Sequence, residues 1–192
     1  MTLLDYANWV PLPAPVTTGT TVQSFTDPTG EVWIAKNGVN GGAWSRARDV
    51  LRARMYRSAA YTSVASTATR IPYDTVTYDP YGMATVAAAA GTQCFTIPVA
   101  GLYRLTSQTH IQGAATAGRS YAQRNGTGTV DVTSSVVFDI IQPANSQLVI
   151  AGSEESLYGA ATTWIQYFTA VAQPFFVGPG DTWASILYVG TG

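Results

Sequence analysis

Few side chains here could do covalent or metal chemistry, and their spacing argues against it. His110 is the only histidine, Cys94 the only cysteine, and Glu154 and Glu155 the only adjacent carboxylates. A metal site built on His110 would need acids around it, and the nearest acids in sequence lie far off. Adjacent glutamates on a strand point to opposite faces, whereas a glycosidase needs two carboxylates converging across one bond, roughly 5–9.5 Å apart. No phosphate-binding loop, nucleophile elbow or metal-ligand cluster is present. The sequence therefore predicts no enzyme, no metal and no cofactor. Cys94 stands beside Phe95 in an apolar setting and reads as a buried, inert thiol. A single cysteine rules out an intramolecular disulfide, which fits folding in a reducing cytoplasm.

The chemistry this chain does offer is recognition. Arg46, Arg48, Arg52, Arg54 and Arg57 crowd one short stretch in which Asp49 is the sole internal counter-charge. Guanidinium groups pair with carboxylates in a two-pronged geometry that lysine cannot match. These five arginines are the candidate attachment residues, and a solvated basic face is the other reading of the same spacing. Two further stretches, 112–129 and 142–163, mix hydroxyl, amide and aromatic groups: Arg119, Tyr121 and Asn125 in one, Asn145, Gln147 and Tyr158 in the other. Such mixtures suit sugars, so Arg119, Asn125, Asn145 and Tyr158 are the candidate ligand-binding residues. Tyr121 and Tyr158 read equally as strand-core residues.

Composition sets the frame for both. Charged residues make up 11% of the 192-residue chain, against roughly 25% in ordinary soluble proteins. Scarce charge suggests surface hidden against other subunits, or a rigid protein worn on a large particle; hydroxyl-rich strands keeping a monomer soluble is the plainer alternative. Residues 1–70 carry seven cationic side chains against four anionic ones, and residues 71–192 three against seven. Two segments with different partners would produce that asymmetry. The near-zero net charge argues against nucleic acid. Met1-Thr2-Leu3-Leu4-Asp5 lacks the basic start and apolar run of a signal peptide, and no stretch approaches the ~18 apolar residues of a membrane span, so neither secretion by that route nor membrane insertion is expected.

The elements that must position these groups are mostly strands. Pro11, Pro13 and Pro15 break the first twenty residues into an extended arm. Thr21–Thr26 and Glu31–Lys36 flank Asp27-Pro28-Thr29-Gly30, a turn sequence that predicts a β-hairpin. From Ala43 to Ser58, Trp44, Ala47, Leu51 and Met55 recur at spacings of three and four, the pattern of a helix. Small polar residues at 62–69 read as a linker. Beyond it, strands are predicted at 71–78, 95–111, 117–124, 128–141, 147–151, 163–171 and 182–189. Tyr103, Leu105, Ser107, Thr109 and Ile111 alternate with Arg104, Thr106, Gln108 and His110, the period of a strand with one buried face. Asn125-Gly126-Thr127 fits a glycosylation sequon but reads better as a hairpin turn. Seven strands in about 120 residues argue for a sandwich or jelly roll.

Phe95, Gly101 and Tyr103, followed by Phe175-Phe176-Val177-Gly178-Pro179-Gly180-Asp181-Thr182-Trp183, make residues 70–192 resemble the globular head of complement's first component and its tumour-necrosis-factor-like relatives. The chain departs from that family at Leu105 and Ser107, where aromatics are usual. The resemblance implies a trimeric jelly-roll sandwich and no particular ligand; with the arm, β-hairpin and short helix read from the residues before it, the expected fold is mainly β. Residues 27–51, from Asp27-Pro28-Thr29-Gly30 through Trp44-Ser45-Arg46-Ala47-Arg48-Asp49-Val50-Leu51, are similar to segments that precede such heads in structural proteins of tailed bacteriophages infecting actinobacteria.

The resulting division is an attachment segment at 1–61, a linker at 62–69 and a jelly-roll head at 70–192. If both resemblances hold, the protein is a non-enzymatic homotrimer assembled in the host bacterial cytoplasm and carried on the virion. There it contacts other capsid or tail proteins, with the head displayed on the tail to bind host cell-wall glycan. A capsid decoration protein is the alternative, and a polysaccharide-cleaving tail enzyme a third.

Overall fold

The computed structural model describes residues 12–62, 69–87, 91–114, 118–124, 136–142, 145–169 and 174–192. In chain order the strands are β1 (Gln23–Thr26), β2 (Val32–Ala35), β3 (Ser45–Arg46), β4 (Arg52–Tyr56), β5 (Thr69–Arg70), β6 (Thr75–Tyr78), β7 (Ala84–Thr85), β8 (Cys94–Thr96), β9 (Gly101–Ala114), β10 (Gly118–Arg124), β11 (Val136–Gln142), β12 (Asn145–Tyr158), β13 (Thr163–Thr169) and β14 (Trp183–Gly190). A single helical turn, α1 (Ala47–Val50), lies between β3 and β4. All pairings are antiparallel. One sheet runs β12-β9-β14-β4-β6, a second runs β11-β10-β13-β8-β7 with β5 on β13, and β1-β2-β3 form a small third sheet. The fold is mainly β, a jelly-roll sandwich.

The alternation read along β9 appears in the burial: Tyr103, Leu105, Ser107, Thr109 and Ile111 are all buried, while Arg104 is exposed and the residues between are half-buried. Tyr103 meets Tyr188 edge-on at 5.1 Å and Tyr158 at 6.1 Å, and Phe95 packs on Trp164 from the second sheet at 5.8 Å. The strand predicted over 95–111 divides at Pro98, which has no N–H for a ladder. The chain crosses there from the second sheet (β8) to the first (β9). The Tyr103 hydroxyl closes that corner by donating to the Val99 carbonyl at 2.8 Å. Gly101 is glycine for packing reasons: a Cβ there would lie 2.3 Å from the Tyr188 ring and 2.7 Å from the Gly190 carbonyl oxygen.

The helix predicted over 43–58 is not there. Gly41 and Gly42 adopt left-handed backbone, one turn forms at Ala47–Val50, and Leu51 leaves the helical region. From Arg52 to Tyr56 the chain becomes β4, with Ala53 and Met55 buried and the arginines outward. Ala47, Leu51 and Met55 do share the core, which is why helical spacing matched; pairing with β14 and β6 overrides the local pattern. β4 is thus an interior strand of the head's sheet, so the segment expected over 1–61 gives its last strand to the head. Most of the linker, 63–68, lies outside the described residues.

The hairpin forms with Asp27 at its turn. The Asp27 carboxylate accepts from the Thr29 N–H (2.8 Å), the Thr29 hydroxyl (2.6 Å), the Glu31 N–H (3.1 Å) and the Trp33 indole (2.9 Å). The arm docks behind: Val16 N–H donates to the Gly42 carbonyl at 2.9 Å, and the Trp44 indole donates to the Ala14 carbonyl at 3.0 Å.

Candidate functional site

The outer face of the five-stranded sheet gathers what the rest of the described surface separates. Outward positions on β4, β6, β14 and β12 present Arg52, Arg54, Tyr78, Leu187 and Leu157. Arg52 stacks its guanidinium 4.8 Å over Tyr78, and Arg54 lies 4.4 Å over Trp183. Arg54 also donates to the Pro179 carbonyl. Between them runs an open groove of about 420 Å³ whose floor includes Ala53, Ile186 and Leu187. The most exposed large apolar side chains on this face are Leu157 (56%), Val149 (44%), Tyr78 (40%) and Leu187 (38%). Arg104 and Glu155 form a solvent-facing ion pair at 2.7 Å beside them. The face is mixed: leucine and valine side chains stand among the Arg104–Glu155 and Thr106–Ser185 pairs, and among the described residues Arg52 and Arg54 make aromatic rather than carboxylate contacts.

The five predicted attachment arginines do not share a surface. Arg46 lies 5.5 Å over Trp33 on the small sheet, and Arg48 pairs with Glu31 at 3.0 Å. Arg52 and Arg54 stand on the sheet face. Arg57 is buried, donating to the carbonyls of Ala59 (2.6 Å), Pro72 (2.9 Å) and Ala60 (3.1 Å) and lying 3.2 Å from Asp74. Its guanidinium is consumed inside the fold, which corrects its place among the attachment residues. Burial raises the Asp74 pKa, but N–H donors from Ser58 and Ala59 outweigh it, leaving the carboxyl below its usual range.

The predicted sugar-binding residues fare unevenly. Arg119 lies in β10, paired with Ile141 and Thr169; Asn145 opens β12 opposite Ala114; Asn125 lies outside the described residues. Tyr158 is buried at 3% exposure with its hydroxyl directed to Glu154, so it is a core residue and cannot meet a ligand. Residues 145–158, of which only 147–151 is predicted as strand, are continuous strand, with Ile150, Glu154 and Tyr158 turned inward and Val149, Ala151, Ser153, Glu155 and Leu157 turned out. Glu154 and Glu155 therefore point apart.

One pairing escaped the sequence reading. His110 Nδ1 lies 2.9 Å from Asp181 Oδ1, with its ring 4.1 Å from Phe176. The β9–β14 register, which sets Gln108 opposite Trp183, brings these residues together across 71 positions. No group of three or more metal-ligating side chains occurs among the described residues, and no helix among them is long and apolar enough to cross a membrane.

This architecture is shared with solved jelly-roll heads. The chain superposes on Eiger TNF from S. frugiperda with a TM-score of 0.55 at 11% identity, covering 73% of this chain and 93% of that one. Murine APRIL gives 0.54 at 12% identity over 72% and 98% of the two chains. The globular domain of the zebrafish complement 1qA protein gives 0.50 at 11% over 73% and 98%. At such identities the likeness is one of fold: a TNF-like and C1q-like jelly roll. No family model and no curated protein sequence matches the chain.

Proposed function

We propose that this protein is a non-enzymatic binding head that works as a homotrimer and is carried on a bacteriophage virion, displayed on the tail to contact host-surface glycan. The observation that carries the self-association is the outer face of the five-stranded sheet, where Tyr78, Val149, Leu157 and Leu187 stand exposed; exposed apolar side chains among polar ones are a composition found at protein interfaces. The TNF-like and C1q-like fold supports a trimer closed about this face. The virion reading rests on the similarity of residues 27–51 to phage structural segments and on the scarcity of charge, and Arg46, Arg48, Arg52 and Arg54 are its attachment residues. The glycan reading rests on the hydroxyl and amide groups around Arg119, Asn125 and Asn145.

Light scattering on the purified protein should give about three times the 20.3 kDa chain mass, and Leu157→Arg should reduce it to one. A monomeric wild type at micromolar concentration removes the self-association reading. Cryo-microscopy of particles labelled with antibody to the head should place it on the tail; label spread over the shell would make it a capsid decoration protein instead.

A further inference from the structure

Three aromatic rings and one cation share the outer face of the small sheet. Phe25 on β1 stands opposite Trp33 on β2, and Trp33 opposite Arg46 on β3, while Val32 and Ile34, on either side of Trp33, turn into the core. The Phe25 ring lies nearly parallel to Trp33 at 6.4 Å and meets Trp44 edge-on at 5.0 Å. The Arg46 guanidinium sits 5.5 Å over Trp33 and has no carboxylate partner among the described residues. The rings are half-buried and Arg46 is exposed. Asp27 takes the Trp33 indole N–H and the Ala14 carbonyl takes that of Trp44, so what the face still offers is ring surface beside an unpaired cation. Aromatic side chains and arginine are the types enriched where a protein surface is covered by another stretch of chain.

The described chain begins beside this face. The Val16 N–H donates to the Gly42 carbonyl at 2.9 Å and the Ala14 carbonyl accepts from the Trp44 indole at 3.0 Å. Followed backwards, the arm therefore advances along 42–46 in the antiparallel sense, and beyond Ala14 it leads towards Arg46. Leu12, where it emerges, is 45% exposed. Ahead of Leu12 stand residues 1–11, which lie outside the described residues. Leu3, Leu4, Tyr6, Trp9 and Val10 make that segment apolar, and Asp5 is its sole charged side chain. Eleven residues reach up to about 35 Å, whereas three strands span about 10 Å. The segment is long enough to cross the rings and double back, which brings its carboxylate within range of Arg46.

We propose that residues 1–11 dock on the outer face of the small sheet of their own chain, with apolar side chains over Phe25, Trp33 and Trp44 and the Asp5 carboxylate paired with the Arg46 guanidinium. Stacking on Trp33 holds that guanidinium in place, and its N–H groups suit a carboxylate in the two-pronged geometry. The docked segment is a cover over a contact surface: while it is closed, Arg46 is engaged, and on a particle the segment would have to leave before Arg46 met another protein. The contact belongs to the free chain, so it stands or falls apart from the trimer, virion and glycan readings.

The test is amide hydrogen exchange read by mass spectrometry on the full-length protein. Residues 3–10 should exchange about tenfold or more below the rate of an open chain. Arg46→Glu should bring them to the open-chain rate, and Arg46→Glu combined with Asp5→Lys should restore the protection, because the pair is then reversed rather than lost. If Arg46→Glu disturbs the hairpin, Asp5→Lys alone, a change outside the hairpin, should open the segment equally. Open-chain exchange in the wild type, protection unchanged by either single substitution, or no recovery in the double variant would overturn the proposal. To separate its own chain from a neighbour, Arg46→Glu protein carrying Thr2→Ser as a mass mark is co-expressed with an excess of wild type. The marked segment should stay open; its protection in that mixture would make a second copy the occupant and overturn the assignment.

Discussion

Two aspartates organise two regions of this molecule, and they do so over different lengths of chain. In the small sheet every partner of Asp27 lies within six residues, at Thr29, Glu31 and Trp33. In the head, Asp74 accepts from Ser58 (2.7 Å) and Ala59 (3.0 Å) and faces Arg57, all 15 or more positions away. Arg57 in turn caps carbonyls from two irregular segments. The first region is closed within one hairpin turn and the second by contacts that join the two ends of the connection between β4 and β6. Local closure costs little loop entropy, whereas distant closure must recover more of it from burial.

That contrast can be broken most decisively at Arg57. Arg57→Ala takes the cation from the mostly buried Asp74 carboxylate and the donor from the buried Pro72 carbonyl, and a cost of about 3–5 kcal/mol is expected, read as a lower denaturation midpoint with β-sheet and aromatic signals lost together. If only a local signal moved, distant closure would not be what holds this region. Gly101→Ala comes next. The added methyl must displace the Tyr188 ring and the Gly190 backbone, and overpacking of this kind costs about 1–3 kcal/mol; calorimetry on the variant measures it, and an unchanged midpoint would show that the corner has slack.

The acid response sharpens the local side. Hydrogen bonds from the Thr29 hydroxyl and then the Trp33 indole hold the Asp27 pKa at about 2, below its ordinary 3.8. A depressed carboxyl contributes stability that is complete above its unfolded value and drains away as pH falls through the folded one. The small sheet should therefore loosen between about pH 4 and pH 2, visible in Trp33 emission, and Asp27→Asn should already be loosened at neutral pH and lack that limb. The smallest effect is expected from Arg52→Ala with Arg54→Ala, whose outward guanidinium groups touch aromatics and one carbonyl. Stability should change by less than about 1 kcal/mol per site, while incorporation into particles falls if these side chains anchor the protein. Unchanged incorporation would make them a solvated edge.

The strands were legible because one buried face imposes a period of two over many residues, as from Tyr103 to Ile111. The stretch 43–58 misled because Ala47, Leu51 and Met55 satisfy helical spacing while β4 shows only two inward residues, and the strand that recruits it, β14, lies about 130 positions downstream. Arg57 could not be told from Arg54 in sequence, since the carbonyls that hold it come from segments without a pattern. The His110–Asp181 contact and the groove between Arg52 and Leu187 likewise arise from sheet register, which no local motif encodes. Phe95, Gly101 and Tyr103 were legible as core because a corner proline, a glycine under an aromatic ring and an inward tyrosine impose residue types directly.

The position of β4 between β14 and β6 bears on how this molecule would carry force. A pull on the N-terminal arm would first strip Val16 from Gly42 and then open the β1–β2 hairpin, whose rungs meet the load one after another like a zip. Past α1 the tension reaches Arg52, where the strand is flanked on both sides and its residues through Tyr56 are paired with Trp183–Leu187. Those rungs lie across the line of pull and must shear together. A head tethered through its arm would therefore give way in two stages, a compliant lead that extends under small tension and a grip that stays intact until a much larger one.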